Sequence, residues 1–259
     1  MKSSRSLLAC AAVLAMVPAH AVISVTAAGL SYSQSFDTLS NTGTTNVFAN
    51  DSTLPGWSIF STALAAVTNY RAGDGSTNNG AAYSFGSIGS AERALGGVGS
   101  SAFSGYFAVA LSNDSGSTVT SVTLGFNGEQ WRDGGNATPV AQTMVLEYGY
   151  GATIAAVPLW TQPGGNFNWS SPVFTTTAGA VNGNTAGLVS GRGGTLSTSW
   201  APGDTLWIRW IDSNDLGNDH GLAIDDVSLS VPSAVPEPGA YALWLAGMAT
   251  LGFLARRRA

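Results

Sequence analysis

The densest group of oxygen-bearing side chains in this sequence is Asp212-Ser213-Asn214-Asp215-Leu216-Gly217-Asn218-Asp219-His220-Gly221, with Asp225 and Asp226 just beyond it. Carboxylates, amide oxygens and loop carbonyls are what calcium takes as ligands, six to eight at a time and at roughly 2.3–2.6 Å. Asp212, Asn214, Asp215, Asp219 and Asp225 therefore form a candidate calcium set. It is not an EF-hand. Counted from Asp212, the fifth position is Leu216, and the twelfth, where that loop places a Glu, is Ala223. The stretch reads as a hairpin joining two strands. Strand alternation then puts Asp225 on one face with Ala223, Val227 and Leu229, and Asp226 on the other with Ser228 and Ser230. Asp225 is thereby directed at the core, where a carboxylate needs a counter-charge or several N–H donors. Arg209 on the preceding strand and calcium are the two candidates for that role.

Glu129, in Gly128-Glu129-Gln130-Trp131-Arg132-Asp133, is the second candidate. An acid beside a Trp near a strand end can carry a raised pKa and serve a carboxylate-dependent glycosidase, which needs only two Asp or Glu residues. The competing reading is an ordinary ion pair with Arg132 or Arg209. Trp57, Trp131, Trp160, Trp169 and Trp200 are candidate platforms for sugar rings, although burial in a core is the commoner fate of Trp.

Other chemistries are excluded by absence. The sole Cys is Cys10 and the only histidines are His20 and His220. Once an N-terminal leader is removed, no thiol nucleophile remains, and no site with two His ligands can be built from one chain. Residues 22–235 contain no Lys, so a Walker loop, a Schiff base and a Ser–Lys pair are excluded, and no G-x-S-x-G elbow occurs. Five arginines stand against fourteen acids there, a net charge of −9. Such a surface repels phosphates, and no nucleic-acid partner is expected.

The elements that position these residues read as strands separated by Gly, Ser, Asn and Asp, with no long amphipathic helix. Residues 104–112 and 118–127 form a hairpin about the turn Asn113-Asp114-Ser115-Gly116, with Val122, Leu124 and Phe126 on one face and Thr123 and Gly125 on the other. Strands are also expected at 81–85, 142–150, 167–176, 205–211 and 222–230, with Pro202-Gly203 as a type II turn. Eight to twelve strands over residues 29–232 predict an all-β fold, an antiparallel β-sandwich of jelly-roll type. The segment Gly221 to Leu229 resembles the terminal strand of extracellular jelly rolls such as MAM-like and carbohydrate-binding modules.

Both ends carry export signals. Lys2 and Arg5 precede the apolar run Leu7–Val17 and the small-x-small Ala19-His20-Ala21, predicting a signal peptide over 1–21 cut after Ala21. At the other end, Val235-Pro236-Glu237-Pro238-Gly239 is followed by the apolar run 240–255 and by Arg256-Arg257-Arg258. A helix over 240–255 spans about 24 Å, which suffices for a transmembrane segment if the arginines snorkel. The positive-inside rule keeps those arginines cytoplasmic and the β domain outside. In this order the parts resemble the PEP-CTERM sorting signal of residues 235–259. That resemblance implies an exosortase as partner, acting on Pro236, Glu237 and Pro238, and an inner-membrane precursor later released to the envelope, outer surface or extracellular matrix. The sequence thus predicts an exported, non-enzymatic protein of structural or polysaccharide-binding role. A secreted glycoside hydrolase is the alternative.

Overall fold

The computed structural model of the chain describes residues 22–233. Its strands are β1 (Ile23–Val25), β2 (Leu30–Gln34), β3 (Asn46–Val47), β4 (Trp57–Ser61), β5 (Asn69–Gly73), β6 (Ala81–Phe85), β7 (Ala94–Val98), β8 (Gly105–Asn113), β9 (Val119–Asp133), β10 (Thr143–Tyr150), β11 (Trp169–Ser170), β12 (Gly179–Ala180), β13 (Leu188–Trp200), β14 (Thr205–Asp212) and β15 (Gly221–Val231). Helix among these residues amounts to two single 3-10 turns, Ile154–Ala156 and Gly165–Phe167. The all-β expectation holds, but the sheets are mixed: β1 runs parallel to β8, and β5 parallel to β6. Of the strand expected at 167–176, only Trp169–Ser170 is extended and paired.

A six-stranded sheet runs β1-β8-β14-β10-β11, with β4 sharing an edge of β8. A nine-stranded sheet runs β12-β9-β15-β7-β6-β5-β3, with β13 on β9 and β2 on β15. Alternation places Phe107, Val109 and Leu111 of β8 and Leu206, Ile208 and Trp210 of β14 on one inner face. Val122, Leu124 and Phe126 of β9, with Val227 and Leu229 of β15, answer from the other sheet, and all of them are buried in one core. Trp210 joins the halves. Its ring stacks on Trp57 at 5.8 Å and meets Phe126 edge-on at 5.4 Å. Each such pair adds about 0.5–1.5 kcal/mol beyond the area it buries.

Two connections differ from the sequence reading. β8 and β9 are consecutive and joined by the Asn113–Gly116 turn, yet they lie in different sheets. The side chain of Asn113 bonds the carbonyls of Ser117 and Trp200, fastening a corner rather than closing a hairpin. β14 and β15 are likewise in different sheets, so the aspartate-rich segment also turns a corner. Pro202-Gly203 does form the expected turn, with Gly203 at φ +82° and the Asp204 N–H donating to the Ala201 carbonyl.

Candidate functional site

At the corner between β14 and β15 the polar side chains mostly satisfy the backbone. Asp219 accepts the Asp215 N–H at 2.7 Å. The Asn218 N–H donates to Asn136 at 2.7 Å, and the Asn218 side chain donates to the Gly135 carbonyl. Asp212 is different. It is 2 % exposed, and its Oδ2 has no hydrogen-bond partner. Burial, reinforced by the charges of Asp219 and Asp215, holds its carboxyl well above the usual range, and burial pushes Asp219 up to about 6. Gly97 makes room for Asp212, since a Cβ there would lie 2.3 Å from Oδ2. Beside the corner opens a cleft of about 430 Å³, lined by Asn78, Ser100, Arg132, Asn214, Asn218 and Asp219 among others.

Asp225 does not join this group. A β-bulge interrupts β15 against β9 between Asp225 and Ser228, and Asp226 adopts φ +49°. Leu222 and Ile224 face the main core before the bulge, and Val227, Leu229 and Val231 face it afterwards. The extra residue reverses the alternation, so Asp225 does not share a face with Val227 and Leu229 as uninterrupted alternation requires. It projects with Ala223 to the outer face of the nine-stranded sheet. Arg209 is no partner for it. That guanidinium lies on the other sheet and pairs with Glu147, with Nε to Oε2 at 2.9 Å.

On its own face Asp225 meets two further acids. Glu129 of β9 pairs in register with Ala223, and Glu92 lies in the turn before β7. Glu92, Glu129 and Asp225 offer carboxylate oxygens that all lie within 4.8 Å of one another. Glu129 and Asp225 are 1 % and 4 % exposed. Neither forms the expected pair with Arg132 or Arg209: Arg132 donates to the Gly75 and Ser76 carbonyls, while Glu129 accepts the Trp131 indole N–H at 2.9 Å. Burial pushes the Glu129 carboxyl up to about 7 and raises Asp225 higher still, the latter also by repulsion from Glu129 and Asp226. One oxygen of Glu92 and one of Asp225 have no hydrogen-bond partner. The 181–187 loop covers the group. Asn184 donates to Glu92, and Gly183 approaches Trp131 so closely that a Cβ would sit 2.4 Å from its ring. Trp131 in turn lies in a parallel stack with Phe85 and Tyr83. Glu129 stands out in the sequence by its neighbour Trp131, and Asp225 separately by strand alternation. Glu92 carries no local signal and joins them only through strand order.

A second buried constellation escaped sequence reading altogether. His220 Nδ1 lies 2.9 Å from Ser171 Oγ, and His220 Nε2 lies 3.5 Å from Asp133 Oδ1. These are the members of a nucleophilic triad, but Ser171 and His220 are 2 % and 1 % exposed. Ser171 Oγ already accepts the Gln142 N–H, and Asp133 is taken up by the N–H and hydroxyl of Thr175. Burial lowers the His220 pKa, which keeps the ring neutral. The arrangement ties strand ends together and is closed to a substrate.

Of the five candidate sugar platforms, Trp57, Trp131, Trp169 and Trp200 are buried. Trp160 is half-buried, and its ring is covered by the Arg209 guanidinium, 3.6 Å from the ring centre.

The sorting residues Pro236, Glu237, Pro238, Arg256, Arg257 and Arg258 lie outside the described residues, as do the signal peptide and the helix expected at 240–255. Among the described residues no helix is long and apolar enough to cross a membrane. Residues 234–258 match the family of the PEP-CTERM protein-sorting motif, and no curated protein matches the chain. The motif indicates an exported protein that an exosortase processes.

Proposed function

We propose that this protein is held briefly at the inner membrane by its tail, cut by an exosortase, and retained in the exopolysaccharide or at the outer surface as a non-enzymatic glycan-binding module of jelly-roll type. The cleft at the β14–β15 corner carries the glycan reading. Its volume of about 430 Å³ falls in the range of small-ligand sites. The exposed side chains of Asn78 and Asn214 offer donors and acceptors beside the carboxylate of Asp219, which suits sugar hydroxyls that do both. The net charge of −9 over residues 22–235 favours a neutral glycan over an acidic one. The buried tryptophans take stacking out of this reading and leave hydrogen bonding to do the recognition.

The hydrolase alternative rests on Glu129, whose raised pKa suits a general acid. A side chain 1 % exposed beneath the 181–187 loop does not reach a glycosidic oxygen, so we favour binding. The test is retention of the isolated domain on the host's own exopolysaccharide. Asn78 and Asn214 are exposed, so the Asn78→Ala, Asn214→Ala double variant should keep the fold. Losing two hydrogen bonds should raise Kd about tenfold or more. A wild-type domain that elutes unretained overturns the glycan reading.

A further inference from the structure

We propose that Glu92, Glu129 and Asp225 hold a divalent cation, calcium by their donor type, between the outer face of the nine-stranded sheet and the 181–187 loop. The geometry comes first. Three carboxylates from three separate stretches of chain converge with oxygens within 4.8 Å of one another. Two oxygens that each sit about 2.4 Å from one calcium ion are at most that far apart. The second observation is Asp225, whose carboxylate accepts the Asp226 backbone N–H yet keeps one oxygen unpaired. It is 4 % exposed and aims into the cluster, and its Oδ1 has no hydrogen-bond partner. One oxygen of Glu92 is orphaned in the same way. A buried polar atom left unpaired is costly, and a cation among these oxygens removes that cost for both residues at once.

The surroundings are built as supports for such a site. The Trp131 indole N–H fixes one oxygen of Glu129, and Asn184 fixes one oxygen of Glu92. Outer hydrogen bonds of this kind orient ligands toward a metal. All three ligands are oxygens and none is His or Cys, which selects calcium or magnesium over zinc. The irregular sources, a turn, a mid-strand position and a bulge, suit the flexible geometry of calcium better than a strict octahedron. Arg93, which follows Glu92 in the chain and feels its charge, spends its guanidinium hydrogen bonds on the Ser84 hydroxyl and carbonyl and on the Gly73 carbonyl rather than on the three acids. Asn127 donates to Asp226, which leaves Asp225 facing the other two acids. A bound ion would fasten the 181–187 loop to the sheet through Glu92 and Asn184.

Terbium(III), a luminescent stand-in for calcium, gives a site-specific test on the folded domain. Trp131 touches a proposed ligand, so exciting tryptophan should sensitise terbium emission, and added calcium should quench it by displacement. Trp131→Phe should remove most of the emission, because energy transfer falls steeply with distance. Glu129→Gln and Asp225→Asn should each weaken terbium binding tenfold or more, and Glu92→Gln, at a half-buried turn position, covers the case where those core variants fail to fold. Asp215→Asn at the β14–β15 corner should leave binding unchanged. The melting temperature of the wild type should rise with millimolar calcium and fall with chelator, and that response should vanish in Glu92→Gln. No sensitised emission from a folded wild type, or emission lost in Asp215→Asn but kept in Glu92→Gln, overturns the proposal. Neither result bears on glycan retention, which is measured separately.

Discussion

Asp212 is a buried acid whose ionisation is linked to the stability of the fold. Its carboxyl titrates well above the usual range because burial disfavours the ion, with Asp219 and Asp215 adding repulsion. A carboxyl with a raised folded pKa stabilises the protein fully below its unfolded value, near 3.8 here, and loses that contribution as pH rises toward the folded value. Asp219, raised to about 6, adds the same sign over the window from about 4 to 6. In chelator, wild-type stability from these groups should therefore decline as pH rises. Asp212→Asn keeps the shape and removes the charge, so its advantage over wild type should grow with pH from about 4 upward and reach a few degrees in Tm near neutrality. Thermal melts of both proteins across that range check this, and a pH-independent difference would contradict it. The acids were legible in the sequence as residue types. Which of them meet was not, because Glu92, Glu129 and Asp225 are far apart in the chain and converge only once β7, β9 and β15 are neighbours.

At the scale of elements, the bulge at Asp226 decides where Asp225 goes. Alternation predicted a core-facing Asp225 because it counts residues in steps of two, and one inserted residue reverses every later position. In β9 the expected face survives intact: Val122, Leu124 and Phe126 are all in the core. The turn chemistry of Asn113-Asp114-Ser115-Gly116 was also read correctly, but a turn signal does not say whether the next strand pairs with the last one or crosses to the opposite sheet. The left-handed backbone of Asp226 gives a direct test. Asn tolerates this conformation and keeps an acceptor for Asn127, whereas a β-branched side chain does not. Asp226→Asn should be nearly neutral and Asp226→Val should cost about 1–2 kcal/mol or more. Urea titration of the two variants measures the difference, and equal stabilities would show that the bulge places no demand on this residue.

The whole molecule joins an export signal to a body in which Asp212, Glu129, Asp225 and His220 are buried. The tail is legible as an ordered signal in the sequence because its information is linear: a Pro-Glu-Pro segment, an apolar run and three arginines in that order. The body's information is spread over fifteen strands, and its cleft and acid cluster exist only in three dimensions. Removing Arg256, Arg257 and Arg258 should let the tail slip through the membrane uncut, since each charge costs roughly 2.5–3.5 kcal/mol at the bilayer centre. Replacing Pro236, Glu237 and Pro238 by Ala should instead trap a full-length, membrane-bound precursor. The most direct test is the intact mass of the wild-type protein recovered from the exopolysaccharide fraction of cells that contain an exosortase. The expected mass is that of a chain beginning at Val22 and lacking the segment from residue 240 onward. A recovered chain that still runs through Ala259 would contradict it.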